Sequence, residues 1–110
     1  MLSSIKRIHF IGIGGIGMSG IAELLFNQNF KITGSDLSES SNTDRLKKLD
    51  IPISIGHDRN NISSAEIVVY SDAIPKDNVE LIEANNRNIQ CYSRGQIISQ
   101  LAKLKSSTVG

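Results

Sequence analysis

A run of glycines set between an apolar strand and an amphipathic stretch restricts this chain more than any other feature. Gly12-Ile13-Gly14-Gly15-Ile16-Gly17 follows the strand-forming segment Arg7–Ile11 directly and leads into residues of helical period. The spacing is G-x-G-x-x-G at a strand-to-helix turn, where backbone N–H groups and a helix N-terminus face a diphosphate. Gly12 is expected to permit the tight turn and Gly14 to let a ligand approach the backbone. Gly17 is expected to seat the helix close on the sheet, with Gly15 and Ile16 completing the loop. Asp36 follows about 20 residues later, at the end of the second strand, where an acidic side chain accepts hydrogen bonds from ribose hydroxyls. The surrounding Gly34-Ser35-Asp36-Leu37-Ser38 is also rich in turn formers, so capping of backbone groups is the competing use of Asp36. The expected ligand is a nucleoside diphosphate or a dinucleotide. Nothing in the spacing separates NAD from a UDP-sugar.

The 110 residues suit one domain with one core. Strand-like runs at Arg7–Ile11, Lys31–Gly34, Ile53–Ile55, Glu66–Tyr70 and Ile89–Tyr92 alternate with stretches of helical period. The first helix is expected from Gly15 to Gln28, with Gly17, Ile21, Leu24 and Leu25 on its packed face. A second runs from Thr43 to Leu49, with Ser41 three residues ahead of Asp44. A third runs from Asn78 to Asn85 behind an Asp77 cap, with Glu80 in the capping-box position. The last opens at Ser93 with Gln96 at the same spacing, and Ile97, Leu101 and Leu104 form its stripe. The alternation predicts an α/β, Rossmann-like, three-layer domain with a five-stranded, mostly parallel sheet over 1–105, and 106–110 as a linker.

Several classes are excluded on composition. Twelve basic residues balance eleven acidic ones, and Lys47 with Lys48, and Lys103 with Lys105, stand in short pairs rather than in a phosphate-tracking stripe, so no nucleic-acid partner is expected. Cys91 is the lone cysteine, which fits a reducing compartment and a cytoplasmic location. The apolar stretch from Ile8 to Phe26 contains His9, Ser19 and Glu23 and is broken by glycines, which argues against a signal peptide and against a membrane span.

The run His9-Phe10-Ile11-Gly12-Ile13-Gly14-Gly15-Ile16-Gly17-Met18-Ser19-Gly20-Ile21-Ala22-Glu23 resembles the opening signature of the UDP-N-acetylmuramate:L-alanine ligases. Gly34-Ser35-Asp36, Gly56-His57-Asp58, Ser71-Asp72-Ala73-Ile74 and Tyr92-Ser93-Arg94 follow in the order of that family, so the resemblance covers the whole chain. It implies a domain that holds UDP-N-acetylmuramate within a three-domain cytoplasmic ligase. In such an enzyme ATP phosphorylates the lactyl carboxylate and L-alanine attacks the acyl phosphate, with Mg²⁺ neutralising the transferring group. No Gly-Lys-Thr or Gly-Lys-Ser phosphate loop is present, so the resemblance places ATP, Mg²⁺ and the catalytic residues in central and C-terminal domains beyond Gly110. This domain alone is expected to bind without catalysing and to need no cofactor of its own. Asp72 departs from the pattern, standing where the family more usually has serine.

The resemblance implies ligand contacts from Ser35, His57, Ser71 and Arg94 beside the glycine loop and Asp36. His57 is read as a contact to a ribose or phosphate oxygen, or as a loop histidine bonded to its neighbours. Ser71 is expected to contact the uridine from the end of the fourth strand, and Arg94 to pair with a phosphate or simply to adjoin a helix N-terminus. His9, within the first strand, is expected to be a packed side chain. Two other classes stay open at this point: an NAD(P)-binding domain of an oxidoreductase or redox sensor, and a non-catalytic interaction domain in which the glycines only shape a turn.

Overall fold

The computed structural model describes residues 5–109, of which 104–109 are described as helix backbone alone. The β-branched runs form β1 (Arg7–Ile11), β2 (Lys31–Asp36), β3 (Ile53–Ile55), β4 (Ile67–Tyr70) and β5 (Gln90–Ser93). They pair in the order β3-β2-β1-β4-β5, and every pairing is parallel. The strand order reverses between β1 and β4, and the glycine loop leaves the carboxyl end of β1 at that switch point, where ligands of open α/β sheets bind. The expected Rossmann-like α/β architecture is therefore the observed one. Among the described residues no helix is long and apolar enough to cross a membrane.

Helices cover both faces of the sheet. α1 (Met18–Asn27) starts three residues later than expected, because Gly17 adopts φ 79° and serves as a left-handed N-cap, leaving 15–17 as loop. Met18, Ser19, Ile21, Ala22 and Leu25 form its buried face, and Leu24, expected there, is exposed. α2 (Ser41–Lys48) is capped by Ser40, not by Ser41. The Ser40 hydroxyl accepts from Thr43 N at 3.3 Å, and the Thr43 hydroxyl accepts from Ser40 N at 2.8 Å. α3 (Val79–Asn86) is capped by Asn78, whose Oδ1 accepts from Glu80 N at 2.8 Å, so the expected Asp77 cap moves one residue on. α4 (Arg94–Val109) opens with the expected Ser93 and Gln96 box, and it continues through 106–109, where the sequence reads as linker. Ile97 is buried and Leu101 packs against the core, whereas the Leu104 side chain lies outside the described residues.

Ile8, Phe10, Ile32, Ile67 and Val69 point to the face covered by α1, α2 and α4, where Met18, Leu25, Leu46 and Ile97 meet them. Burial of a side chain such as Phe10, 0% exposed, stabilises the fold by about 1.5–3 kcal/mol. The other face holds the smaller cluster of Ile11, Ile62, Val68, Leu81 and Ala84 beneath α3 and the 3-10 turn Arg59–Ile62. A Cβ on Gly17, expected to be absent so that the helix could sit close on the sheet, would instead meet the Arg94 side chain at 3.1 Å. A Cβ on Gly34 would lie 2.3 Å from Ile13 Cδ1 and 2.8 Å from its Cβ, so the Ile13 side chain of the glycine loop packs directly on the bare backbone of β2.

Candidate functional site

The loop between β1 and α1 is held from beneath and left open above. Gly12 N and Ile13 N both donate to Ser35 O, at 2.8 and 3.0 Å, which fastens the turn to the end of β2. Gly12 has φ 79°, as its expected role in the tight turn requires. Gly14 N donates to Asp36 Oδ2 at 2.8 Å, and Asn42 Nδ2 of α2 donates to Gly14 O at 3.1 Å. A Cβ on Gly14 would meet Asp36 Oδ2, Thr43 Cγ2 and Ser40 Oγ at 3.0 to 3.1 Å. The missing side chain at Gly14 thus makes room for the β2–α2 segment of the protein itself, which corrects the expectation that the space faced a ligand.

Past that clamp the loop has unused donors. Gly15 N turns back to Gly12 O and Met18 N to Gly15 O, both at 3.0 Å. The Ile16 and Gly17 N–H groups meet no acceptor among the described residues, and the Ile16 side chain is 97% exposed at the crest. Two adjacent free N–H groups at the positive end of α1 make an anion cradle. Arg94 stands over it: its guanidinium lies 3.1 Å from where a Gly17 Cβ would be, and no carboxylate pairs with it among the described residues. Ser71, at the end of β4, lies across the loop, 3.0 Å by its Cβ from the space above Gly12, and its hydroxyl accepts from Ala73 N at 3.2 Å. Asp72, beside it, is exposed.

Asp36 has one oxygen on Gly14 N and the other on Leu37 N at 2.8 Å. Both readings of this residue therefore meet in one side chain: it caps backbone groups, and each carboxylate oxygen keeps a further lone pair for a hydroxyl. The structure thus brings Gly12, Gly14, Gly15, Ile16, Gly17, Asp36, Ser71 and Arg94 together at one end of the sheet.

Ser35 does not join them. Its hydroxyl is fully buried and donates to Glu80 Oε1 at 2.7 Å. Glu80, read from the sequence as a capping residue, is the hub of a polar cluster under α3. Its Oε1 also accepts from His9 Nε2 at 2.7 Å, while His9 Nδ1 lies 2.7 Å from Thr33 Oγ1. Its Oε2 accepts from His57 Nδ1 at 3.0 Å, Asp58 N at 3.1 Å and Asn61 Nδ2 at 2.9 Å. Burial pushes the Glu80 carboxyl up, but the hydrogen bonds from His9, Asn61 and Ser35 and the electrostatic attraction of the His9 ring outweigh it and hold the pKa at about 2. His57, expected beside the ligand, belongs to this cluster, with Nδ1 on Glu80 Oε2 at 3.0 Å and on Ser35 Oγ at 3.1 Å. His9 is packed, as expected, yet it is hydrogen-bonded on both nitrogens. The signal for this cluster was His9, Thr33 and Ser35 on one face of strands that are otherwise apolar, since polar side chains there need a buried partner.

A cavity of about 470 Å³ opens at the opposite end of the sheet, among Arg7, Phe26, Phe30, Lys31 and Pro52. It holds none of the loop donors, so the donor geometry, and not the volume, locates the site.

The sequence pattern of the Mur ligase family, catalytic domain, matches residues 7–106. The chain is 53% identical over 106 residues to a UDP-N-acetylmuramate–L-alanine ligase of Wolbachia sp. subsp. Brugia malayi, covering 94% of this chain and 20% of that protein. It is 52% identical over 101 residues to the ligase of the same name from Aquifex aeolicus, covering 92% of this chain and 22% of that protein. The crystal structure of UDP-N-acetylmuramate-alanine ligase from Thermotoga maritima superposes with a TM-score of 0.85 at 34% identity, over 88% of this chain and 23% of that one. The chain thus spans about a fifth of the length of the curated relatives it matches. With its glycine loop, its five-stranded parallel sheet and nearly its whole length matched, this chain belongs to the Mur ligase family.

Proposed function

We propose that this chain is the domain that binds UDP-N-acetylmuramate, the N-terminal part of a cytoplasmic, ATP-dependent ligase that adds L-alanine to that nucleotide sugar in peptidoglycan precursor synthesis. The observation that carries the reading is the pair of N–H groups of Ile16 and Gly17 at the switch point, which meet no acceptor among the described residues and lie beneath an arginine with no carboxylate partner among them. They receive the diphosphate, together with Arg94 and the N-terminus of α1. An exposed helix terminus contributes only about 0.3–1 kcal/mol toward an anion, so the hydrogen bonds and the rest of the ligand supply most of the affinity. Asp36 accepts from the ribose with its remaining lone pairs, and Ser71 meets the uridine side. The likeness to ligases named for UDP-N-acetylmuramate supports the uridine ligand over a nicotinamide dinucleotide. ATP and Mg²⁺ act in a central ATPase domain, and this domain contributes binding and orientation rather than a catalytic group.

Isothermal titration of the chain with UDP-N-acetylmuramate, UDP, NAD and NADH tests this, with Arg94→Gln as the comparison. Saturable heat from the two uridine ligands, weakened in the variant, is the expected result. Tight binding of NAD or NADH without the uridine ligands would overturn the assignment.

A further inference from the structure

Among the described residues, one buried side-chain polar atom has no partner: Nε2 of His57, whose side chain is 9% exposed. Its other ring nitrogen is fully engaged, 3.0 Å from Glu80 Oε2 and 3.1 Å from Ser35 Oγ. The Ser35 hydroxyl already gives its hydrogen to Glu80 Oε1 at 2.7 Å, so toward His57 it can only accept. Both neighbours of Nδ1 are therefore acceptors, and the hydrogen of the ring lies on Nδ1. In the neutral imidazole this leaves Nε2 as a bare lone pair, whereas a cationic ring would bury an N–H with nothing to receive it.

Glu80 fixes more than the ring. It accepts from Asp58 N at 3.1 Å and from Asn61 Nδ2 at 2.9 Å, and Asn61 also donates to Gly56 O at 3.0 Å. The backbone on both sides of His57 is thus tied to one carboxylate. Gly56, at φ 96°, donates to Asp36 O at 2.7 Å, which joins this loop to the strand end that carries the ribose-reading residue.

We propose that Glu80 is a positioning residue of the nucleotide-sugar site: from the first turn of α3 it holds His57 by Nδ1 and keeps Nε2 as an acceptor for a hydroxyl of the ligand. The proposal rests on the reading of the chain as a nucleotide-sugar binder. Glu80 itself, 0% exposed, touches no ligand. The ligand hydroxyl supplies the partner that Nε2 lacks, so the imidazole adds affinity only when its tautomer and orientation are set in advance.

Long-range ¹H–¹⁵N spectra of the labelled chain read the tautomer directly. The expected spectrum shows His57 protonated on Nδ1 alone, with saturating UDP-N-acetylmuramate moving the Nε2 resonance upfield while the tautomer stays. An Nε2-protonated ring in the free chain, or an imidazolium in the complex, would overturn the proposal. This reading needs no variant. A double-mutant cycle supplies the second arm: Glu80→Gln and His57→Ala each weaken UDP-N-acetylmuramate binding roughly 3- to 10-fold, and the double variant binds as His57→Ala does. Independent, additive losses in folded variants would remove Glu80 from the site while leaving the nucleotide-sugar reading intact. Failure of the unmodified chain to bind any uridine ligand would overturn that reading itself.

Discussion

On the side of the sheet covered by α1, α2 and α4, Ile8, Phe10, Ile32, Ile67 and Val69 pack into one cluster of apolar side chains. On the side covered by α3, Ile11 and Val68 share the surface with His9, Thr33 and Ser35, and the space above them is filled by Glu80. The first arrangement gains from water exclusion and tolerates small shifts, because dispersion has no direction. The second gains only if every donor finds its acceptor, since a buried polar group left alone costs more than its hydrogen bond returns. The two faces therefore do different work. The apolar face supplies stability, and the polar face spends part of its potential stability on holding the His57 loop in one geometry.

Truncation on the apolar side is the strongest way to break this contrast. Phe10→Ala removes a side chain that is 0% exposed and is expected to cost about 3–5 kcal/mol, by the same amount at neutral and acidic pH. Denaturant unfolding at several pH values measures it. A pH-dependent loss would show that the two faces are energetically coupled rather than separate.

Acid tests the polar side. The Glu80 carboxyl is held at about 2 in the fold against an ordinary value of 4.5, so between those values the unfolded chain binds the proton and the folded chain does not. The stabilisation is complete above pH 4.5 and is lost as the pH falls through about 2, a change of about 3 kcal/mol. Unfolding free energies between pH 6 and pH 2 are expected to show that decline in the unmodified chain and a flatter one in Glu80→Gln. Equal slopes would mean that other carboxylates, such as Glu66 and Glu39, whose pKa values are also lowered by hydrogen bonds, carry the acid response.

The apolar face was legible in the sequence because periodicity reports it. The β-branched runs and the stripe of Ile21 and Leu25 fix strands, α1 and their packed sides, and the glycine spacing fixes the switch point. The polar face was not legible, because its members come from five segments and each has an ordinary local explanation. Glu80 looked like a capping residue, His57 like a ligand contact or a loop histidine, and Ser35 like a ligand contact. The hint of a second interior was His9, Thr33 and Ser35, lying alternately with Ile8, Phe10, Ile32 and Gly34. The glycines were misread for a related reason: sequence shows that a Cβ is absent but not what occupies its place. At Gly14 the occupant is Asp36 with Ser40 and Thr43, and at Gly34 it is Ile13. Leu24, at helical spacing but exposed, shows the opposite error, an apolar residue on the margin of the stripe.

The smallest expected effect separates folding from site geometry. Asn42 lies on α2 and touches the glycine loop only by donating to Gly14 O at 3.1 Å, while its Oδ1 accepts from Arg45 at 3.4 Å, a marginal bond. Its removal empties no core, so Asn42→Ala is expected to change unfolding free energy by less than about 1 kcal/mol. The peptide between Gly14 and Gly15, however, then keeps only its N–H bond to Gly12 O, at 3.0 Å, and loses the clamp on its carbonyl. The N–H groups of Ile16 and Gly17 lie just past that peptide, so the ligand must order the loop itself. Amide exchange at Gly15 should accelerate about 2- to 10-fold and UDP-N-acetylmuramate binding should weaken by a similar factor, with the exchange of β1 and β4 unchanged. If β1 exchange rises in step, the loop and the sheet open together, and the clamp belongs to the apolar core rather than to the site.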